Sequence, residues 1–116
     1  MQDAARAWDD HASTYGELFA PLTSFIARAM FTMTSTRLPT NARILDIACG
    51  TGALTLPALE RAMRDRKLGN DPGLVVSTDF SEKMVQLTRE NGAAAGAPKE
   101  LHRCEQQNGE SLTLPD

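Results

Sequence analysis

One run of nine residues constrains this chain more than any other: Ile44-Leu45-Asp46-Ile47-Ala48-Cys49-Gly50-Thr51-Gly52. An apolar stretch ends in an acid, breaks into a loop with two glycines, and leads into a segment able to start a helix at Ala53, Leu54, Leu56, Ala58 and Leu59. That order is strand, tight turn, helix N-terminus. In open α/β sheets ligands bind in the crevice beyond the carboxyl ends of the strands. Glycine lets the backbone turn sharply there and lets a ligand lie against it. Other nucleotide loops fit less well. A dinucleotide fingerprint starting at Gly50 would need glycine where Thr55 stands. A P-loop needs a lysine at its end, and none follows Gly52 before Lys67.

Periodicity sets the remaining elements. Ala4, Ala5, Trp8, Ala12 and Tyr15 share a helical face, predicting a helix from about Ala4 to Tyr15 that Gly16 ends. A second helix is predicted from about Pro21 to Thr36, with Leu22, Phe25, Ile26, Ala29, Met30 and Met33 as its apolar stripe. Its methionines read as core filler. A first strand spans about Arg43 to Ile47. The helix after the glycine loop runs to about Lys67; it either begins near Thr55, with Pro57 in its first turn, or is kinked. The basic cluster Arg61, Arg64, Arg66 and Lys67 reads as a solvated helix end. A second strand covers Leu74 to Thr78. A helix then covers about Ser81 to Glu90, capped by Ser81 and stopped by Asn91-Gly92. A third strand is placed at about Glu100 to Cys104. The α-α-β-α-β-α-β order implies a parallel sheet with right-handed crossovers.

The run Asp46 to Gly52 resembles the first motif of class I S-adenosylmethionine-dependent methyltransferases. The resemblance extends in the family's order. Val75-Val76-Ser77-Thr78-Asp79-Phe80-Ser81-Glu82-Lys83-Met84 is similar to the second strand, its acid and the next helix. Asn108-Gly109-Glu110-Ser111-Leu112-Thr113-Leu114-Pro115-Asp116 is similar to the third-strand loop, and Trp8 to Tyr15 to the segment that caps the cofactor. The fold this implies is α/β: a Rossmann-like class I methyltransferase fold truncated to about three parallel strands, with flanking helices and two N-terminal cap helices. Residues 1–116 form one partial cofactor-binding domain, with a helical cap at 1–38 and a βαβαβ core at 39–116. The match covers the family's cofactor-binding half and stops before the fourth strand. Little methyl transfer is therefore expected of these residues alone.

The resemblance implies S-adenosylmethionine as cofactor and S-adenosylhomocysteine as product. Ala48, Cys49, Gly50 and Gly52 then supply the loop that meets the methionine and ribose portion. Asp46 either meets the methionine amino group or only accepts loop N–H bonds. Asp79 either takes the ribose hydroxyls or caps the next helix. Phe80 and Met84 offer apolar faces to adenine, with a plain core role for Met84 as the alternative. Asn108 stands where the family often has an aspartate at the adenine amino group, and Gly109 donates a backbone N–H. Tyr15 either closes over the methionine end or sits in the core. No catalytic base is assigned: His11 is the one weak candidate, and His102 reads as non-catalytic. There is no Ser-His-Asp set and no zinc-ligand spacing.

Composition narrows the setting. With 41% apolar and 23% charged residues the chain is of ordinary globular type, and a net charge of -3 argues against a nucleic-acid partner. No apolar stretch approaches membrane-spanning length. Cys49 and Cys104 are far apart, and reduced thiols in the cytoplasm are expected. The expected partners are a small-molecule methyl acceptor in the complete enzyme and a protein: a homodimer or hetero-complex joined at the first-strand edge. The alternative functions are a non-catalytic subunit acting through association, or a protein of this fold with non-methylating chemistry.

Overall fold

The computed structural model describes residues 2–115; Asp116, the last residue of the third-strand loop motif, lies outside them. Three parallel strands form one sheet in the order β1-β2-β3: β1 at Ile44–Ile47, β2 at Val75–Asp79 and β3 at His102–Gln106. The helices are α1 at Gln2–Leu18, α2 at Ala20–Ser35, α3 at Thr55–Lys67 and α4 at Glu82–Ala94. The register pairs Ile44 with Val75 and Val75 with His102, and pairs Asp46 with Ser77 and Ser77 with Cys104. Side chains alternate across a sheet, so these residues share one face. α3 and α4 pack on it.

The apolar core is small: Ala58, Leu59 and Ala62 of α3, Val75 of β2, and Leu101, with Phe31, Ile44, Met63 and Ala97 packed around them. The opposite face carries Leu45 and Ile47, which are 44% and 48% exposed. Near it the C-terminal segment places Leu114 and Pro115 with Leu45, Val76 and Arg103 around a hollow of about 310 Å³.

Several expectations are corrected. Gly16 does not end α1, which continues to Leu18. The α2 stripe is not core: Leu22, Phe25, Ile26, Met30 and Met33 are 49–78% exposed, and α2 has no buried residue. Only its Phe31 side packs inward. Regular helix in α3 begins at Thr55 with Pro57 in its first turn, the first of the two alternatives. Arg61 is not solvated with its basic neighbours. Its guanidinium bonds Asp65 and the carbonyls of Ser35 and Leu38, tying the end of α2 to α3. β3 starts two residues later than expected, because Lys99–Leu101 form a single 3-10 turn after Pro98.

The largest boundary difference is at Asn91-Gly92, which does not stop α4. Gly92 is buried there because the ring of His102 leaves no room for a side chain. A Cβ at Gly92 would lie 2.7 Å from His102 Nδ1 and 3.2 Å from Leu59 Cδ1. Alanine in a helix interior ordinarily gains about 1 kcal/mol over glycine. Overpacking costs about 1–3 kcal/mol, so Gly92→Ala is expected to lower stability on balance. Urea unfolding of the variant checks the sign.

Candidate functional site

The site is built where β1 and β2 end. Ala48, Gly50 and Gly52 all have positive φ, at 58°, 57° and 98°. For Ala48 this is a strained conformation of the kind that concentrates at functional loops. Cys49 N–H donates to the Thr78 carbonyl at 2.8 Å, pinning the loop to β2. α4 holds the loop from the other side: Thr88 Oγ1 donates to the Gly50 carbonyl at 2.7 Å, and Asn91 Nδ2 to the Thr51 carbonyl at 2.8 Å. Nothing lies within 4 Å of where a Gly50 Cβ would project, so the loop backbone faces open space there.

Asp79 lies beneath this loop and is 6% exposed. Its Oδ2 accepts from Gly50 N–H at 3.0 Å and its Oδ1 from Ser81 N–H at 2.9 Å. A carboxylate has about four acceptor positions, so each oxygen retains capacity for a second donor. Ser81, not Asp79, caps α4 with its side chain, accepting from Met84 N–H at 3.2 Å.

Asp46 is also buried, on the helical face. Its Oδ2 accepts from Thr55 Oγ1 at 2.6 Å. Burial raises its pKa above the ordinary carboxylate value, with the Thr55 hydrogen bonds opposing the shift and the Asp79 charge adding to it. Burial likewise pushes the Cys49 thiol up to about 12, with its hydrogen-bond contact to Thr88 Oγ1 opposing the shift. Cys49 is therefore a neutral thiol rather than a nucleophile. Cys49 and Cys104 are both free.

Beyond the ends of β2 and β3, Phe80 and Asn108 line a hollow of about 190 Å³ with Gln2, Ala5, Gln106 and Gln107. The Asn108 oxygen accepts from Glu110 N–H at 3.0 Å, closing its own turn. Gly109 sits against the end of β1, where a Cβ would be 3.1 Å from Ile47 Cγ2. Met84 is 3% exposed and packed inside, so the core alternative describes its position. Tyr15 is half-buried between Trp8 and Phe19, at ring separations of 5.9 and 5.8 Å. Beside it, Gly16 passes over Thr51, so α1 does lie across the glycine loop.

Asp46, Ala48, Cys49, Gly50, Gly52 and Asp79 thus converge. Phe80 and Asn108 form a neighbouring hollow, and Tyr15 of α1 packs between Trp8 and Phe19, next to the Gly16 that passes over Thr51. Four residues escaped the sequence reading. Asp9 accepts from the Ser81 hydroxyl and, at 3.1 Å, from Lys83 N–H, which fastens α1 to the start of α4. Thr88 and Asn91 hold the loop carbonyls, and Thr55 holds Asp46. The polar pair Thr88 and Asn91, three apart on one face of α4, was the available signal. Among the described residues no group of His, Cys, Asp or Glu is placed to hold a metal ion. No helix among them is long and apolar enough to cross a membrane.

The sequence profile described as "Methyltransferase domain" matches residues 44–116. Solved structures of the same fold include three with low sequence identity. The YcgJ protein of Bacillus subtilis is 19% identical, with a TM-score of 0.54 over 79% of this chain and 34% of its own. Magnesium protoporphyrin IX methyltransferase from Synechocystis PCC 6803, with bound S-adenosylhomocysteine, is 22% identical, with a TM-score of 0.55 over 79% of this chain and 36% of its own. A putative S-adenosylmethionine-dependent methyltransferase from Methanococcus maripaludis is 22% identical, with a TM-score of 0.56 over 98% of this chain and 45% of its own. This chain therefore spans less than half the length of each of these structures. No curated protein matches it significantly. The strand–loop–helix site and the profile match place the chain in the class I S-adenosylmethionine-dependent methyltransferase family, with its Rossmann-like fold.

Proposed function

We propose that this chain binds S-adenosylmethionine at the carboxyl ends of β1 and β2 and serves a methyltransferase whose acceptor is a small molecule. The observation that carries the reading is Asp79 beneath the glycine loop, bonded to Gly50 N–H, with the loop backbone open at Gly50. The S-adenosylhomocysteine held by the Synechocystis structure supports the choice of ligand.

When bound, the cofactor supplies an electrophilic methyl group on a sulfonium. The chain's own residues bind and orient. Asp79 accepts from the ribose hydroxyls with its remaining lone pairs, and Asp46 faces the methionine amino group. Ala48, Cys49, Gly50 and Gly52 present loop backbone, and Phe80 lies against adenine in the hollow it shares with Asn108. Gly109 offers its N–H at the rim, and Tyr15 closes the methionine end from α1. Met84 backs the site from within. Methyl transfer to a neutral leaving group asks mainly for alignment. Titration calorimetry with S-adenosylmethionine and S-adenosylhomocysteine tests the reading; saturable binding of both is expected. A folded chain that takes up neither would overturn it.

We also propose a protein partner, a second copy of this chain or a different one, at the edge of β1. β1 is an edge strand among the described residues, and Leu45 and Ile47 beside it are half-exposed. Unpaired strand edges next to apolar side chains favour pairing with another chain. Light scattering through a dilution series is expected to show mass above the monomer that Leu45→Lys reduces. A wild-type monomer that stays soluble at micromolar concentration, with β1 amides protected from exchange, rules association out.

A further inference from the structure

A chain of polar side chains crosses the middle of the molecule, on the face of the sheet that α3 and α4 cover. Asp46 of β1 accepts from Thr55 Oγ1 at 2.6 Å. Thr55 Oγ1 is 2.7 Å from Ser77 Oγ on β2, and Ser77 Oγ is 3.0 Å from His102 Nε2 on β3. Thr55 and Ser77 are fully buried. All three strands and the first turn of α3 therefore meet in one hydrogen-bonded line.

That line has a direction. A hydroxyl carries one proton, and an ionised carboxylate only accepts. Thr55 gives its proton to Asp46, so Ser77 must donate to Thr55. The Ser77 proton is then used, so His102 Nε2 must carry a hydrogen and donate to Ser77 Oγ. The charge on Asp46 at one end sets the tautomer of His102 at the other. If Asp46 were protonated and donated to Thr55, each bond could reverse and His102 would become the Nδ1–H form.

We propose that Thr55, Ser77 and His102 are positioning residues for Asp46: a one-way relay that fixes the rotamer of the loop acid and links it to a histidine on the far strand. The functional part rests on the reading of Asp46 as the acid facing the cofactor's amino group; the direction of the relay rests instead on the hydrogen-bond geometry with an ionised Asp46.

The surroundings of His102 agree. Gly92 of α4 makes room for the ring at Nδ1. The charged or titratable groups near the ring are Arg89 of α4 and Cys104 on its own strand, with Cys104 Sγ 3.1 Å from Nε2. Burial and the Arg89 charge both disfavour the imidazolium, which keeps the ring neutral and its tautomer meaningful. Buried networks that are fully satisfied specify one arrangement of their members.

Nitrogen NMR of the full chain with isotope-labelled histidine reads the tautomer directly, with exposed His11 as internal control. Wild type is expected to show His102 as Nε2–H at neutral pH. Thr55→Val cuts the line, frees Ser77 either to donate or to accept, and is expected to give mixed tautomers. Thr55→Ser restores the line and the single form. In parallel, Thr55→Val is expected to weaken S-adenosylhomocysteine binding about tenfold, and Thr55→Ser to stay within about twofold of wild type. An Nδ1–H form in wild type, which needs no variant to fold, overturns the relay. So does a tautomer that Thr55→Val leaves unchanged. A shifted tautomer with unchanged affinity overturns the positioning role. Absence of ligand binding by wild type with the expected tautomer removes the proposed function and leaves the relay standing.

Discussion

Asp79→Ala is expected to lose stability and ligand together. The carboxylate takes two backbone N–H groups, from Gly50 and from Ser81, in a place that is 6% exposed. Alanine leaves both donors without a partner at that position. A buried unsatisfied donor costs about 1–3 kcal/mol. Gly50 is only part-buried and can turn to water, so the sum falls at about 2–4 kcal/mol. The same bond helps hold Gly50 at positive φ, so the loop loses its shape as well as a ligand contact. Affinity for S-adenosylhomocysteine is expected to fall by at least about tenfold, since two hydroxyl contacts and the loop geometry are lost at once. Asp79→Asn separates the two effects. Its amide keeps one acceptor but turns an N–H₂ group toward one of the two donors, so it should fold better than alanine and still bind poorly. Calorimetry and urea unfolding on the same samples give both numbers. Full-strength binding by a folded Asp79→Ala protein would sink the ribose assignment.

The backbone framework of the candidate site was legible in the sequence where structure is local and the fold has few options. A first strand with Asp46 next to its end, a loop with glycine at positive φ, and a second strand ending in Asp79 are short local patterns whose backbone form follows from their own residues. Contacts between distant elements were not legible. Asp9 looked like one acid among several on a helix, and only the packing of α1 beside Ser81 and Lys83 gives it work. Thr55, Ser77 and His102 lie on three elements, and no periodicity links them. Gly92 misled for a physical reason: glycine after asparagine ordinarily stops a helix, but here its missing side chain is space for His102. α2 misled in the opposite way. Its apolar spacing is sound for a helix, and it does form one. Periodicity reports which residues share a face, not whether anything covers that face, and Leu22, Phe25 and Met33 are largely exposed.

Leu59→Ala is expected to bring the fold to the edge of stability, because so few large side chains are fully buried. Leu59 is 0% exposed and sits among Ala58, Ala62, Val75 and Leu101. Two of those neighbours are alanines, with little side chain to move into a cavity. Leu59 also meets the bare backbone of Gly92, so it joins α3 to α4 as well as to the sheet. Leu→Ala in a packed core costs about 2–5 kcal/mol, more where the surroundings cannot collapse. Whole domains are stable by only about 5–15 kcal/mol, and small ones sit low in that range. With urea slopes of about 1–3 kcal/mol per molar, the midpoint should drop by roughly 1–3 M. Leu45→Ala is the comparison. Leu45 has the same side chain on the face that no helix covers among the described residues, and at 44% exposure its loss should cost under about 1 kcal/mol. A Leu45→Ala cost equal to that of Leu59→Ala would mean that this second face is covered in solution. It would then turn the exposed side of β1 from a surface into half of an interface.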